Sequence, residues 1–134
     1  MIVLDTHIWV NWILGGDSAL SPEIVFAMQK ESRLAVSGIS CFEVSLLVSR
    51  GKLELPLPVS EWLTEALTNS GVESLPVTCE IANRAVMLPE IHRDPADRII
   101  IATAIVHDAK LASLDSVFPS YQELESRLVG KQYL

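Results

Sequence analysis

The chain is poor in the residues that announce several common protein classes. Only two of its 134 residues are cysteines. Cys41 and Cys79 lie inside apolar segments with neither a C-x-x-C pair nor Cys/His ligand spacing. That argues against a disulfide scaffold or zinc module and predicts two reduced, buried thiols. No stretch is long enough to span a bilayer: the longest apolar run, 99–106, is under half of the roughly 20 residues that a membrane helix needs. The N-terminus has no basic segment before its apolar residues, and Asp5 interrupts them, unlike a secretory signal. A soluble cytoplasmic protein is expected. Basic residues are also scarce, 10 Lys and Arg against 17 Asp and Glu, for a net charge of −7. This weighs against a module that holds nucleic acid on a broad basic face, because phosphate neutralisation supplies most of that affinity. Bound cations can reverse the sign locally, and an acidic surface suits a basic partner segment.

What is present is apolar residue in quantity, 49% of the chain. That suffices for one globular domain over 1–134 with its own core. Its pattern alternates strands with helices and contains no internal repeat. Residues 2–4 read as a strand, followed by a helix over 7–14 that stops at Gly15-Gly16. Ser21-Pro22 opens a second helix, and 34–36 read as a second strand. A helix then runs through Arg50, with Ser40 and Glu43 at capping-box spacing. The proline-marked stretch 52–59 reads as a surface loop. Ser60 opens a further helix, 72–75 read as a third strand, and Thr78 opens a helix with Ile81, Ala82, Ala85 and Val86 at helical spacing. Asp94-Pro95 is a helix start that places Asp97 in the first turn. Residues 111–114 read as a strand ending at Asp115, and 121–129 as a last helix. No clear strand is read in 131–134. The alternation predicts an α/β fold of three layers, α/β/α, around a mainly parallel sheet of four to five strands.

Acidic residues fall at particular places in this pattern. Asp5 and Asp115 follow apolar strands, and Glu43 and Asp97 lie near helix starts. In right-handed crossovers these positions share the carboxyl edge of the sheet. Carboxylates about 4 Å apart repel by roughly 4 kcal/mol per pair at an effective dielectric near 20, so gathering four requires neutralisation. A divalent cation with a preference for hard oxygen ligands, Mg²⁺ or Mn²⁺, is the expected answer, and phosphodiester chemistry the expected use. Each acid also has a plainer reading. Glu43 fits a capping box, Asp97 a charge against a helix dipole, Asp115 a turn cap and Asp94 an N-cap. Asp5 is the hardest to explain plainly, because a carboxylate buried after Ile2-Val3-Leu4 needs a cation or donors. His7, His92 and His107 form no ligand pattern and stay outside the expected site. Trp9, Trp12 and Trp62 are expected to pack rather than stack on bases.

Several segments resemble PIN-domain ribonucleases, and within them the VapC-type toxins of toxin–antitoxin systems. The opening 1–7, MIVLDTH, resembles the first strand and first acid of that family. SGISCFEV at 37–44 resembles the second-acid region, HRDPADRIIIATA at 92–104 the most distinctive segment, and LASLD at 111–115 the strand presenting the fourth acid. The resemblance covers nearly the whole chain. It implies Asp5, Glu43, Asp97 and Asp115 as catalytic, metal-binding acids. It also implies Thr6 as a supporting hydroxyl and Ser113 as another, serine standing where the family often has threonine, while Asp94, first an N-cap before Pro95, is a further supporting candidate from its position. Arg93 and Arg98 flank the third motif as candidate holders of substrate phosphate. The implied activity is hydrolysis of RNA by a metal-activated water. The implied partners are a VapB-like antitoxin and a second copy of the chain, with Ile8, Trp12 and Ile13 as exposed apolar contacts. The alternatives are a metal-dependent phosphatase or phosphotransfer domain, for which Asp5-Thr6-His7 lacks the second Asp of a DxD motif, and a non-catalytic PIN scaffold.

Overall fold

Why the opening residues form a buried strand is clear from their setting in the computed structural model, which describes residues 1–130. β1 (Ile2–Leu4) is fully buried and lies at the centre of a five-stranded sheet in the order β3-β2-β1-β4-β5. Its neighbours are β2 (Leu34–Ser37) and β4 (Lys110–Ala112), with β3 (Val72–Leu75) and β5 (Leu128–Val129) at the edges. All four pairings are parallel. A parallel strand covered on both faces reads as an uninterrupted apolar run, as Ile2-Val3-Leu4 does.

Side chains alternate between two cores. Ile2, Leu4, Val36 and Ala112 join Ile8, Trp9, Ile24, Met28 and Trp62 on one face. Val3, Ala35 and Leu111 join Ile100, Ile101, Ala104, Phe118 and Tyr121 on the other. The first face is covered by α1 (Thr6–Gly15), α2 (Pro22–Lys30), α3 (Gly38–Ser49) and α4 (Val59–Ala66). The second is covered by α6 (Pro95–Val106), against which α5 (Cys79–Met87) packs through Ile81, Ala85 and Ala102. This is the three-layer α/β/α arrangement expected from the alternation. Trp9 and Trp62 are fully buried with ring centroids 5.2 Å apart, so these two pack as expected. No helix of the described residues is long and apolar enough to cross a membrane.

Five local expectations need correction. The last segment is not a helix: two 3₁₀ turns, Phe118–Ser120 and Gln122–Leu124, lead into β5. Phe118, Tyr121 and Leu124 are buried against the sheet face, a spacing of three that one-turn segments satisfy as well as an α-helix. The final sheet edge is therefore β5, and 131–134 lie outside the described residues. Second, α3 begins at Gly38 with Ser37 as its cap, the Ser37 hydroxyl accepting from Ile39 N. Glu43 thus sits in the second turn, and Ser40 is buried rather than capping. Third, β4 ends at Ala112, so Asp115 lies in the loop beyond it. Fourth, Cys41 is half-buried and Cys79 exposed at the start of α5, although both are free thiols. Fifth, Ile8 is fully buried, while Trp12 and Ile13 are only partly covered.

The chain runs from β1 outward to β2 and β3, then returns across the sheet to β4 on the other side of β1. The carboxyl ends of β1 and β4 therefore flank a topological switch point, the place where open α/β sheets hold ligands.

Candidate metal centre

Asp5 leaves β1 directly at this switch. Its backbone N–H continues the ladder to Ala112 O at 2.9 Å. Its side chain caps α1 by accepting from Thr6 N at 2.8 Å. The carboxylate is nearly buried, with 5% of the side chain exposed. Ser113, carried just past β4, donates its hydroxyl to Asp5 Oδ2 at 2.6 Å and accepts Asp115 N at 3.0 Å. One small side chain thereby ties the loop after β4 to the end of β1. His7 Nδ1 lies 3.4 Å from the same Asp5 oxygen.

Thr6 links the first helix to the third. Its hydroxyl is 2.6 Å from Glu43 Oε1 and 2.8 Å from Ser40 Oγ. A hydroxyl has one proton, and the carboxylate can only accept, so Ser40 donates to Thr6 and Thr6 to Glu43. Asp94 caps α6, its Oδ1 accepting from Ala96 N and Asp97 N, and Pro95 fixes the first helical φ. Asp97 is held in the first turn with its carboxylate toward the other acids. In the β4 loop, Asp115 Oδ1 accepts Val117 N at 2.8 Å in a local turn.

The structure thus brings Asp5, Glu43, Asp97 and Asp115 to one rim, although 110 residues separate the first from the last. Their fields overlap. Burial pushes the Asp5 carboxyl above the ordinary range, against the lowering pull of the Ser113 hydroxyl, His7 and Thr6 N. Burial likewise raises Glu43, offset by the Thr6 bond and reinforced by Asp5 and Asp94. Asp97 is pushed up to about 7, by burial first and then by Asp5 and Asp94, with His92 pulling the other way. Charge is costly here for every one of these three acids. A bound cation relieves that cost, and the donor set of carboxylate oxygens suits a hard divalent ion. The residues fit the group that the acid pattern implies.

His92 is the side chain at this rim that the sequence pattern did not point to. Its Nε2 lies 2.6 Å from Asp97 Oδ2 and 3.7 Å from Asp115 Oδ2. One ligand atom each from His92, Asp97 and Asp115 falls within a 4.8 Å cluster. A histidine five residues before an acid matches no helical ligand spacing, and the contact exists only because the loop before α6 folds back over its first turn. The nearest sequence signal is the position of His92 two residues ahead of the Asp94 cap.

The two arginines part company. Arg98 is committed to the fold: its guanidinium donates to the carbonyls of Val86, Leu88, Pro89 and His92 at 2.8 to 3.2 Å. It pins the loop from α5 to α6 and has little left for a phosphate. Arg93 is exposed. It lies at the lip of a groove between α5 and α6 floored by Ala82, Ala85, Pro95 and Ile99.

Comparison with known proteins gives a consistent family. The model described as "PIN domain" matches residues 2–124. The chain is 34% identical over 122 residues to Ribonuclease VapC22 of Mycobacterium tuberculosis, covering 90% of this chain and 92% of that protein. It is similar in fold to VapBC2 from Rickettsia felis, solved bound to a DNA fragment from their promoter. That match has a TM-score of 0.69 and 20% identity over 96% of this chain and 97% of that one. A toxin–antitoxin complex from Klebsiella pneumoniae matches with a TM-score of 0.57 and 22% identity, covering 87% and 88%.

Proposed function

Since the chain belongs to the PIN-domain family, in its VapC branch, we propose that it is a metal-dependent endoribonuclease acting as the toxin of a toxin–antitoxin pair. The observation that supports this reading best is the convergence of Asp5, Glu43, Asp97 and Asp115, each restrained by at least one donor of the chain. These four acids hold Mg²⁺ or Mn²⁺, with Thr6 and Ser113 as supporting hydroxyls and Asp94 fixing the helix that carries Asp97. When bound, the cation lowers the pKa of an attacking water and offsets the charge that builds on the scissile phosphate.

The chain's own residues do the positioning. Ser113 and Thr6 N keep the Asp5 carboxylate from rotating, and the Ser40–Thr6–Glu43 relay does the same for Glu43. Because burial raises these carboxyls, their charge, and with it their repulsion of RNA phosphate, grows as pH rises. Cation loading is what turns the rim into a phosphate site. Arg93, exposed on the adjacent lip, is the side chain we assign to a neighbouring phosphate.

The acidic surface, net −7, suits an antitoxin segment with basic side chains directed at the site. The similar Klebsiella structure is a toxin–antitoxin complex, which supports the VapB-like antitoxin that we infer as the partner here. A homodimer, a cytoplasmic setting and a single domain over 1–134 complete the reading.

Purified protein freed of any partner is expected to cut RNA internally with Mg²⁺ or Mn²⁺, to stop with EDTA, and to lose cleavage in Asp5→Ala. Cleavage that persists in that variant rejects the site. Phosphate release from small phosphomonoesters without RNA cutting favours a phosphatase, and cation binding with no hydrolysis of either substrate favours an inactive scaffold.

A further inference from the structure

We propose that His92 is a positioning residue, whose Nε2–H holds Asp97 Oδ2 so that the other carboxylate oxygen faces the cation, and that the imidazole is not itself a metal ligand. The proposal rests on the metal-centre reading above and specifies how that centre is assembled.

The donor pattern motivates it. Asp5 is held at both oxygens, Oδ1 by Thr6 N and Oδ2 by the Ser113 hydroxyl, while Glu43 Oε1 takes the Thr6 hydroxyl and Asp115 Oδ1 the Val117 N–H. Carboxylates that bind metals are themselves hydrogen-bonded, and those outer donors fix which oxygen is presented. For Asp97 the donor in place is His92, at 2.6 Å.

The ring is oriented for this bond. Asp94 N–H points at Nδ1 at 3.5 Å, which makes Nδ1 the acceptor and leaves the proton on Nε2. With Nε2 engaged by Asp97 at 2.6 Å, ligation through that nitrogen would require the contact to break and its proton to leave. The edge of the ring meets Phe118, with centroids 6.4 Å apart and planes at 65°.

The main chain of His92 is also held at both ends. Its N–H donates to the hydroxyl of buried Tyr121 at 3.0 Å, and its carbonyl accepts from Arg98 Nη1 at 3.1 Å. These two bonds make a fixed base from which the imidazole reaches Asp97. These anchors do not involve the side chain, so substitutions at 92 leave the loop in place.

The test uses Mn²⁺ titration followed by electron paramagnetic resonance, without RNA, on wild type, His92→Gln and His92→Leu. Glutamine can place an amide N–H near the position of Nε2, whereas leucine offers no donor. His92→Leu is expected to weaken Mn²⁺ binding about 10- to 100-fold, and His92→Gln to remain within about threefold of wild type, as for loss and retention of an outer-shell donor. Pulsed spectra of Mn²⁺-loaded wild type should show no ¹⁴N coupling from imidazole. Thermal unfolding in EDTA should be alike for all three proteins.

A ¹⁴N coupling that both variants lose makes His92 a ligand and overturns the proposal. So does unchanged Mn²⁺ affinity in His92→Leu, equal loss in both variants, or wild type that binds no Mn²⁺. If the leucine and glutamine variants separate as expected but no protein cuts RNA, the positioning role stands and the ribonuclease reading alone falls.

Discussion

Asp97→Asn should make the metal-free protein more stable while ending catalysis. The Asp97 carboxyl titrates near 3.8 when unfolded and is pushed up to about 7 in the fold, by burial and by its acidic neighbours Asp5 and Asp94. As pH rises between those values, the unfolded chain gives up its proton while the folded chain keeps it. The unfolded state then binds fewer protons, so stability falls through this window and stays reduced above it. The full shift corresponds to roughly 4 kcal/mol. Solvent reaches the side chain, which is 17% exposed, and screening leaves about 1 to 2 kcal/mol. Asparagine removes the titration but can still accept from His92. In EDTA at pH 8 the variant is expected to melt about 4 to 7 °C above wild type, given an unfolding entropy near 2.1 cal/mol/K per residue. The gain should shrink as pH falls through 3.8 and vanish well below it, where the wild-type carboxyl is protonated in both the folded and the unfolded state. Thermal unfolding by circular dichroism at several pH values measures this. A variant no more stable than wild type at pH 8, or a gain independent of pH, refutes the claim that gathered negative charge strains the empty site.

Five further substitutions separate structural from functional roles. Trp9→Phe should cost about 1 to 3 kcal/mol more in urea unfolding than Trp62→Phe, because Trp9 Nε1 donates to Ala66 O at 2.9 Å whereas the buried Trp62 Nε1 has no partner among the described residues. Gly130→Ala should lose about 2 to 4 kcal/mol and lower cleavage. Gly130 has φ +94, and an added Cβ would stand 2.8 Å from Ser113 O, displacing the residue that holds Asp5. Arg98→Met should destabilise by about 2 to 4 kcal/mol through its four carbonyl bonds, read by thermal unfolding. Arg93→Ala should stay within about 0.5 kcal/mol of wild type and instead raise KM for RNA.

The sequence by itself determined the layer architecture and the places where acids enter it. Periodicity and caps are local properties: Ile2-Val3-Leu4 reads as a strand because each face of a parallel sheet needs apolar cover, and Asp94-Pro95 starts a helix through the geometry of two adjacent residues. Asp5, Glu43, Asp97 and Asp115 stood out for the same reason, each beside a local signal. Other features depended on contacts between remote segments. Glu43 is presented from the second turn of α3 because Ser37, not Ser40, caps that helix, which frees Ser40 to bond Thr6. Residues 121–129 became turns and a strand because β4 had an open edge to pair, a fact invisible to helical spacing. Arg93 and Arg98 flank the same motif, yet only tertiary structure tells them apart, since the carbonyls that occupy Arg98 come from the end of α5 and the loop after it. His92 reaches Asp97 only when Tyr121, nearly thirty residues later, fastens the loop that carries it. Local backbone preference travels a few residues along the chain, whereas hydrogen bonds that aim a catalytic carboxylate are made between whatever segments folding brings into contact.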